Sequence, residues 1–355
     1  MRTEWLARAL VALGAVGLVG LAVFALRVPD GAVELRGRMA DDGGWTPDAI
    51  TAHVGEPLTL RLTSDDVMHS FAIGQSAQPA VDLPPGKWMT TTLVFERPGR
   101  YTYYCTRWCG PNHWRMRGTI DVLGAAAGPS TTDTLPLFLR LKLDLDQPHP
   151  SDVVPSRKPS AARAADAQRT ADLDGGDTRT QSPALVWRAL RQRQANAALT
   201  DQQIWDLVAA VWRGTTSCAR VAEGRQLYRD NCAACHGGAG RGDGVMARSV
   251  ASAASTGEHA GMPEMSGHRT VAPTDFTNAT LMLGASAAFL QGKIIRGGMG
   301  TGMPYWGPIF TEAQLWALVD YLWTFQFDYG PMVNPSDAPR PGRGNASRAP
   351  AVRHH

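Results

Sequence analysis

Cys105-Thr-Arg-Trp-Cys109-Gly-Pro-Asn-His113-Trp-Arg-Met116 puts two thiols, an imidazole and a thioether on one short loop. Thiolate and thioether ligands select copper or iron–sulfur, imidazole suits copper, and structural zinc sites use Cys and His but not Met. The set reads as copper. A mononuclear blue-copper site needs one Cys, so a second thiol four residues later asks for two metal ions bridged by both sulfurs. A disulfide or a thioredoxin-type copper carrier would also use CxxxC. Neither accounts for His113 and Met116, and no βαβ pattern surrounds the loop.

The loop is framed by strand patterns. Leu58-Thr-Leu-Arg-Leu-Thr63 alternates apolar and polar residues and leads to Asp66-Val-Met-His69, which supplies the further imidazole the site needs. Thr90–Phe95 runs through the turn Arg97-Pro-Gly-Arg100 into Tyr101–Tyr104, and Gly118-Thr-Ile-Asp-Val122 follows the loop. The ligands therefore hang between the last two strands of a β-sandwich. His53, alone on an alternating strand, reads as an ordinary histidine.

A second chemical signature is Cys232-Ala-Ala-Cys235-His236, the attachment motif for c-type haem: two thiols bond the vinyl groups and carry the adjacent His to the iron. Zinc would need two more ligands at short spacing, and the next histidines are His259 and His268. Downstream, Gly297-Gly-Met299-Gly-Thr-Gly-Met303-Pro-Tyr-Trp is a glycine-rich loop able to bring a thioether to the far face of the iron. Met/His ligation suits electron transfer rather than oxygen binding.

Asp-Val-Met-His69, Pro98-Gly-Arg-Tyr101, Cys105-x3-Cys109-Gly, His113-x2-Met116 and Gly118-Thr-Ile together resemble the CuA domain of cytochrome c oxidase subunit II, across about residues 30 to 123. The resemblance implies a binuclear copper centre in a cupredoxin-like sandwich. Cys105 and Cys109 would bridge both ions, His69 and His113 cap one each, Met116 bind weakly, and the Arg107 backbone carbonyl complete the set. Many relatives carry Glu where Arg107 stands, so the non-redox metal that this Glu helps to hold is not expected. Residues 219 to 326 resemble class I cytochromes c, which favours Met303 over Met299 as axial ligand; Pro273-Thr-Asp-Phe276 also falls at a familiar place, and 238 to 271 read as an insertion.

Leu199-Thr-Asp-Gln-Gln-Ile-Trp…Trp212 matches Phe310-Thr-Glu-Ala-Gln-Leu-Trp…Trp323 position by position, each opening with a Thr-x-x-Gln capping box. The first copy is either a remnant of a second cytochrome unit or a helix independently patterned to pack on the haem domain. No second haem is expected.

Trp5 to Leu26 holds an uncharged run from Ala9 to Leu26, long enough at about 1.5 Å per residue to cross a bilayer core if Arg8 snorkels. It reads as a single anchor, a cleaved signal peptide being the competitor. Arg2 and Arg8 before it and Arg27, Arg36 and Arg38 after it leave orientation open. The family resemblance places the redox domains on the periplasmic face of a bacterial cytoplasmic membrane. One anchor followed directly by the sandwich is similar to the ba-type class, in which an acidic residue like Glu4 sits near proton entry; an ordinary surface charge is the other reading of Glu4.

The 355 residues leave room for two domains, and a net charge of +3 names no electrostatic partner. No basic cluster interleaved with aromatics points to nucleic acid. The expected organisation is multidomain: a transmembrane helix (1–28), an all-β cupredoxin-like domain (29–124), a linker with one possible strand at 137–145 (125–198), an all-α cytochrome c domain (199–328) and a disordered tail (329–355). The alternating Leu137, Leu139, Leu141, Leu143 and Leu145 carry that strand reading. Cys218 is left unassigned.

By resemblance, the chain is expected to be the electron-input subunit of a haem–copper terminal oxidase. It would take electrons from a soluble cytochrome c or similar donor and pass them through one haem c and CuA to a polytopic catalytic subunit that reduces oxygen. A nitric oxide reductase subunit and an anchored electron-transfer or copper protein without catalytic partner remain alternatives. Nitrous oxide reductase fails by count, since its cluster needs seven further histidines and the chain has nine in all, three of them committed here and two in the tail.

Overall fold

The computed structural model describes residues 31–76, 78–110, 112–125, 135–164, 177–248, 272–298 and 302–331. The anchor expected at 1–28 and nearly all of the tail expected after 329 lie outside them. Among the described residues no helix is long and apolar enough to cross a membrane. The chain divides into two compact units at 133/134.

The first unit is a two-sheet sandwich. One sheet runs in the order β2 (Trp45–Thr46), β1 (Val33–Gly37), β4 (Pro57–Ser64) and β7 (Met89–Val94). The other runs in the order β3 (Ala49–His53), β9 (Arg117–Leu123), β8 (Gly99–Tyr104), β5 (His69–Ile73) and β6 (Val81–Leu83). Period-2 alternation places Leu58, Leu60 and Leu62 of β4 inside, and Leu35, Phe71, Tyr103, Ile120 and Val122 meet them in one apolar core. His53 is exposed at the end of β3. β8 and β9 pair antiparallel with Tyr104 opposite Arg117, so the segment between them leaves one end of the sandwich as a loop. β5 pairs with β8 through Ala72 and Tyr104, which brings His69 to the same end.

The second unit is helical. In chain order it contains α1 (Leu137–Arg140), α2 (Pro183–Arg191), α3 (Asp201–Gly214), α4 (Cys218–Asn231), α5 (Ala233–His236), α6 (Ala279–Met282), α7 (Ala287–Arg296) and α8 (Glu312–Trp323). Both predicted capping boxes form: Thr200 with Gln203 opens α3 and Thr311 with Gln314 opens α8. α4 crosses α8 at Gly224, where a Cβ would run into the Ala317 carbonyl oxygen. Trp212 of α3 meets Trp323 edge-on at 5.9 Å and Phe327 at 5.8 Å.

The structure corrects the reading of 125–198. No strand forms over 137–145: Pro136 caps a helical turn at Leu137–Arg140, and Lys142 at φ 54° ends it. Phe138 and Leu145 are the buried residues, against Gly292 of α7, while Leu139 and Leu141 face outward. The helical unit offers this run no strand to pair with among the described residues, and an unpaired extended segment would leave its backbone groups unsatisfied. Nor is the segment a loose connection. Ser151 N–H donates to the Thr280 carbonyl, Asp206 accepts from Ser160 N–H and from Arg163, and Arg296 pairs with Asp146.

Candidate functional site

The β8–β9 loop and the start of β5 bring the predicted ligands together. One ligand atom each of His69, Cys105 and Cys109 lie within 4.8 Å of one another. His69 is fully buried, with Nδ1 3.8 Å from Cys105 Sγ. His113, in a single helical turn at His113–Arg115, has Nδ1 3.4 Å from Cys109 Sγ. Cys109 Sγ lies 3.6 Å from Met116 Sδ, and Cys105 Sγ lies 3.3 Å from the Arg107 carbonyl oxygen. All six predicted positions therefore converge on one site.

The loop is fixed from outside. Met116 O accepts from Cys105 N at 3.2 Å and from Trp45 Nε1 at 3.1 Å, closing it at both ends. Asn112, at φ 56°, turns the chain so that His113 points back inward. Gly37 lies beneath, where a Cβ would come within 3.1 Å of Trp45, 3.4 Å of His69 and 3.5 Å of Met116.

Sequence reasoning missed the groups that orient these ligands. Asp66 Oδ1 sits 2.7 Å from His69 Nε2, leaving Nδ1 for the metal side. Burial works against the Asp66 carboxylate, but hydrogen bonds from Met39 N–H, Val67 N–H and His69 outweigh it and lower its pKa. Burial likewise works against a charged His69, yet the Cys105 sulfur and Asp66 together raise its pKa. Ser70 N–H approaches Cys105 Sγ at 3.4 Å, and Ser70 Oγ accepts from Thr106 N–H at 2.8 Å. Arg107 reaches Asp82 on β6 through Nε at 2.7 Å, which holds its carbonyl in place beside Cys105. An Asp three residues before His69 was the one signal in the sequence; a backbone N–H leaves none.

The two thiols act as a pair. A hydrogen bond from Cys109, with help from His113 and His69, holds Cys105 far below the ordinary thiol range despite burial. Cys109 is pushed far up by its hydrogen bond to Cys105 and by burial. The pair sheds one proton readily and keeps the other until a cation displaces it. Two soft sulfurs, two imidazoles, a thioether and a carbonyl within this radius fit copper by donor chemistry.

In the helical unit Cys232 closes α4 and His236 ends α5. Burial, and then the neighbouring Cys235, push the Cys232 thiol up to about 12, and burial raises Cys235. Burial also lowers the pKa of His236, outweighing the Thr274 carbonyl that accepts from Nδ1 at 3.1 Å. The imidazole is thus neutral with its proton on Nδ1, and Nε2 is the nitrogen left to bind a metal. Phe276 stacks on the ring at 4.5 Å. Met303 sits in an isolated bridge with Gly298, whose N–H donates to Met303 O at 3.1 Å; Met299 lies outside the described residues. Cys218 is half-buried in the first turn of α4.

A sandwich with a copper-type donor set, joined to a helical domain with a CxxCH motif, defines a two-domain electron-transfer protein. Residues 46–123 match the family model for the periplasmic domain of cytochrome c oxidase subunit II, and residues 221–326 match that for cytochrome c. The chain is a fusion of a subunit II periplasmic domain with a cytochrome c domain. Cytochrome c oxidase subunit 2 of Thermus thermophilus is 35% identical over 79 residues, 22% of this chain and 58% of that protein. The same subunit from a second strain of that organism is also 35% identical over 79 residues, 46% of its length. The chain thus spans about half the length of these curated relatives. Among solved structures, the periplasmic domain of oxidase subunit II from Bradyrhizobium japonicum covers 28% of this chain and 87% of its own, at 18% identity and a TM-score of 0.24. A chain of a haem-copper terminal oxidase dimer covers 34% of this chain and 99% of its own, at 24% identity and a TM-score of 0.23.

Proposed function

We propose that this chain is the electron-input subunit of a bacterial haem–copper terminal oxidase, with a binuclear CuA centre on the sandwich and one haem c on the helical domain. The observation that carries the reading is the convergence of His69, Cys105, Cys109, His113, Met116 and the Arg107 carbonyl at one end of the sandwich. Two cysteines four residues apart make bridging possible, and a mononuclear site would leave one of them idle. When bound, the two metal groups each supply a one-electron couple.

The protein's own contribution is positional. Cys105 and Cys109 provide the bridging sulfurs, His69 and His113 the terminal imidazoles, and Met116 and the Arg107 carbonyl the weak outer ligands. Asp66, Ser70 and the Arg107–Asp82 pair hold these atoms in place, so that little has to move when charge arrives. On the other domain, Cys232 and Cys235 form the thioether links, His236 is the proximal ligand and Met303 the distal one. Filling both axial positions keeps oxygen off the haem and suits it to electron transfer.

The segment before residue 28 anchors the chain in the cytoplasmic membrane with both domains on the periplasmic side. A soluble cytochrome c or similar protein delivers electrons, and a polytopic subunit takes them for oxygen reduction, which this chain does not perform by itself. Replacing Cys105 or Cys109 with Ser in the assembled oxidase is expected to abolish copper-pair binding and oxygen consumption while leaving the haem reducible. Normal oxygen uptake in either variant would contradict the reading.

A further inference from the structure

Behind α8, on the face that carries Trp316, Asp320 and Trp323 at helical spacing, lies a cavity of about 30 Å³. Trp212 of α3, Arg220 of α4 and Arg179, from the stretch before α2, close it from the other sides. This is where the extension that precedes the cytochrome core meets the core itself. The paired tryptophans of the internal near-repeat, Trp212 and Trp323, face each other across it.

The polar groups around the cavity are unevenly matched. Arg220 Nη2 pairs with Asp320 Oδ2 at 2.7 Å, and Thr216 Oγ1 donates to the same oxygen at 2.6 Å. The Arg179 guanidinium lies over the Trp316 ring at 4.6 Å, and Trp316 Nε1 already donates to Glu312. Trp323 is 1% exposed, and its Nε1 hydrogen meets no acceptor in the protein. A buried donor left unmatched costs about 1–3 kcal/mol. Two guanidiniums face one carboxylate, and burial raises the pKa of that carboxylate against the pull of Thr216 and Arg220, so the surroundings carry surplus positive charge.

We infer that this cavity is a site for a small monovalent anion of halide size, held by the Trp323 indole N–H and the Arg179 and Arg220 guanidiniums. The volume corresponds to roughly two waters, which admits a halide and excludes phosphate or larger carboxylates. Water would satisfy the indole hydrogen but leave the charge uncompensated. An anion here ties the stretch at 178–179, α3 and α4 to α8, so it acts as a clamp between extension and core. The inference does not depend on the metal-site reading.

Crystals of the haem-loaded full chain grown with bromide in place of chloride test it directly. An anomalous peak within hydrogen-bond reach of Trp323 Nε1 is expected; a cavity holding only water overturns the proposal. In solution, the thermal midpoint should rise with chloride at constant ionic strength made up with bulky gluconate. Trp323→Phe and Arg179→Gln should each shift that chloride dependence to at least about tenfold higher concentration, the scale of one charge-assisted hydrogen bond. An identical dependence in both variants and the parent chain would also overturn it. If Trp323→Phe fails to fold, the bromide peak in the unaltered protein still decides.

Discussion

The copper-site residues divide into those that donate to metal and those that aim the donors. The donors were legible in the sequence because their side chains carry the chemistry: Cys105, Cys109, His113 and Met116 fall within one loop. The aiming groups were not, because much of their work is done by main-chain atoms such as Ser70 N–H beside Cys105 and the Thr274 carbonyl beside His236. Asp66→Asn should weaken copper binding by about 10–100-fold, the usual effect of losing the partner that orients a ligating His, with the fold intact by circular dichroism. Competition against a copper chelator measures it, and an unchanged affinity would remove Asp66 from that role. Gly37→Val should disturb the same site from below, since the added atoms meet Trp45, His69 and Met116. The expected sign is a shifted copper spectrum while the haem bands stay as they were.

Periodicity located the elements well wherever a partner surface existed. Leu58, Leu60 and Leu62 alternate and form β4; the two Thr-x-x-Gln segments open α3 and α8. It failed at 137–145, where the same alternation belongs to a helical turn and an irregular strap. There the buried residues are Phe138 and Leu145, and the alternating leucines include the outward-facing Leu139 and Leu141. A period of two specifies a strand only if a neighbouring strand takes its hydrogen bonds, and the helical unit supplies none there among the described residues. The crossing of α4 and α8 is the element-scale feature most open to test. Gly224→Val forces a side chain against the Ala317 carbonyl and Tyr321. Overpacking of this kind costs about 1–3 kcal/mol, so the haem domain's thermal midpoint should fall, whereas Gly214→Ala, in open space, should leave it near the parent value.

At the scale of the molecule, the strap at 135–164 makes the helical unit larger than the cytochrome core that the haem motif alone outlines. Asp328 fastens the strap's end. Its N–H donates to the Pro159 carbonyl, its carboxylate accepts from Ser160 Oγ at 3.0 Å, and its carbonyl accepts from Ala161 N–H. The Gly330 N–H, then Ser160, Lys158 and Arg163, hold that carboxylate below its ordinary value of 3.8 against partial burial. A folded-state pKa below the unfolded one gives stability that is present above the unfolded value and lost as pH falls through the folded value. Acid unfolding of the helical unit should therefore steepen below about pH 3.8, and Asp328→Asn should flatten that limb; an unchanged acid limb would separate Asp328 from the strap's stability.

The central claim is that one end of the sandwich holds two copper ions bridged by Cys105 and Cys109, in a chain that also carries covalent haem. Metal analysis and electron-spin resonance of the purified haem-loaded chain test it most directly. The account predicts a pair of copper ions per haem and, in the oxidised state, a hyperfine pattern from one unpaired electron shared equally by two copper nuclei. A single copper with a mononuclear pattern, or copper retained in full by the Cys109→Ser variant, would contradict it.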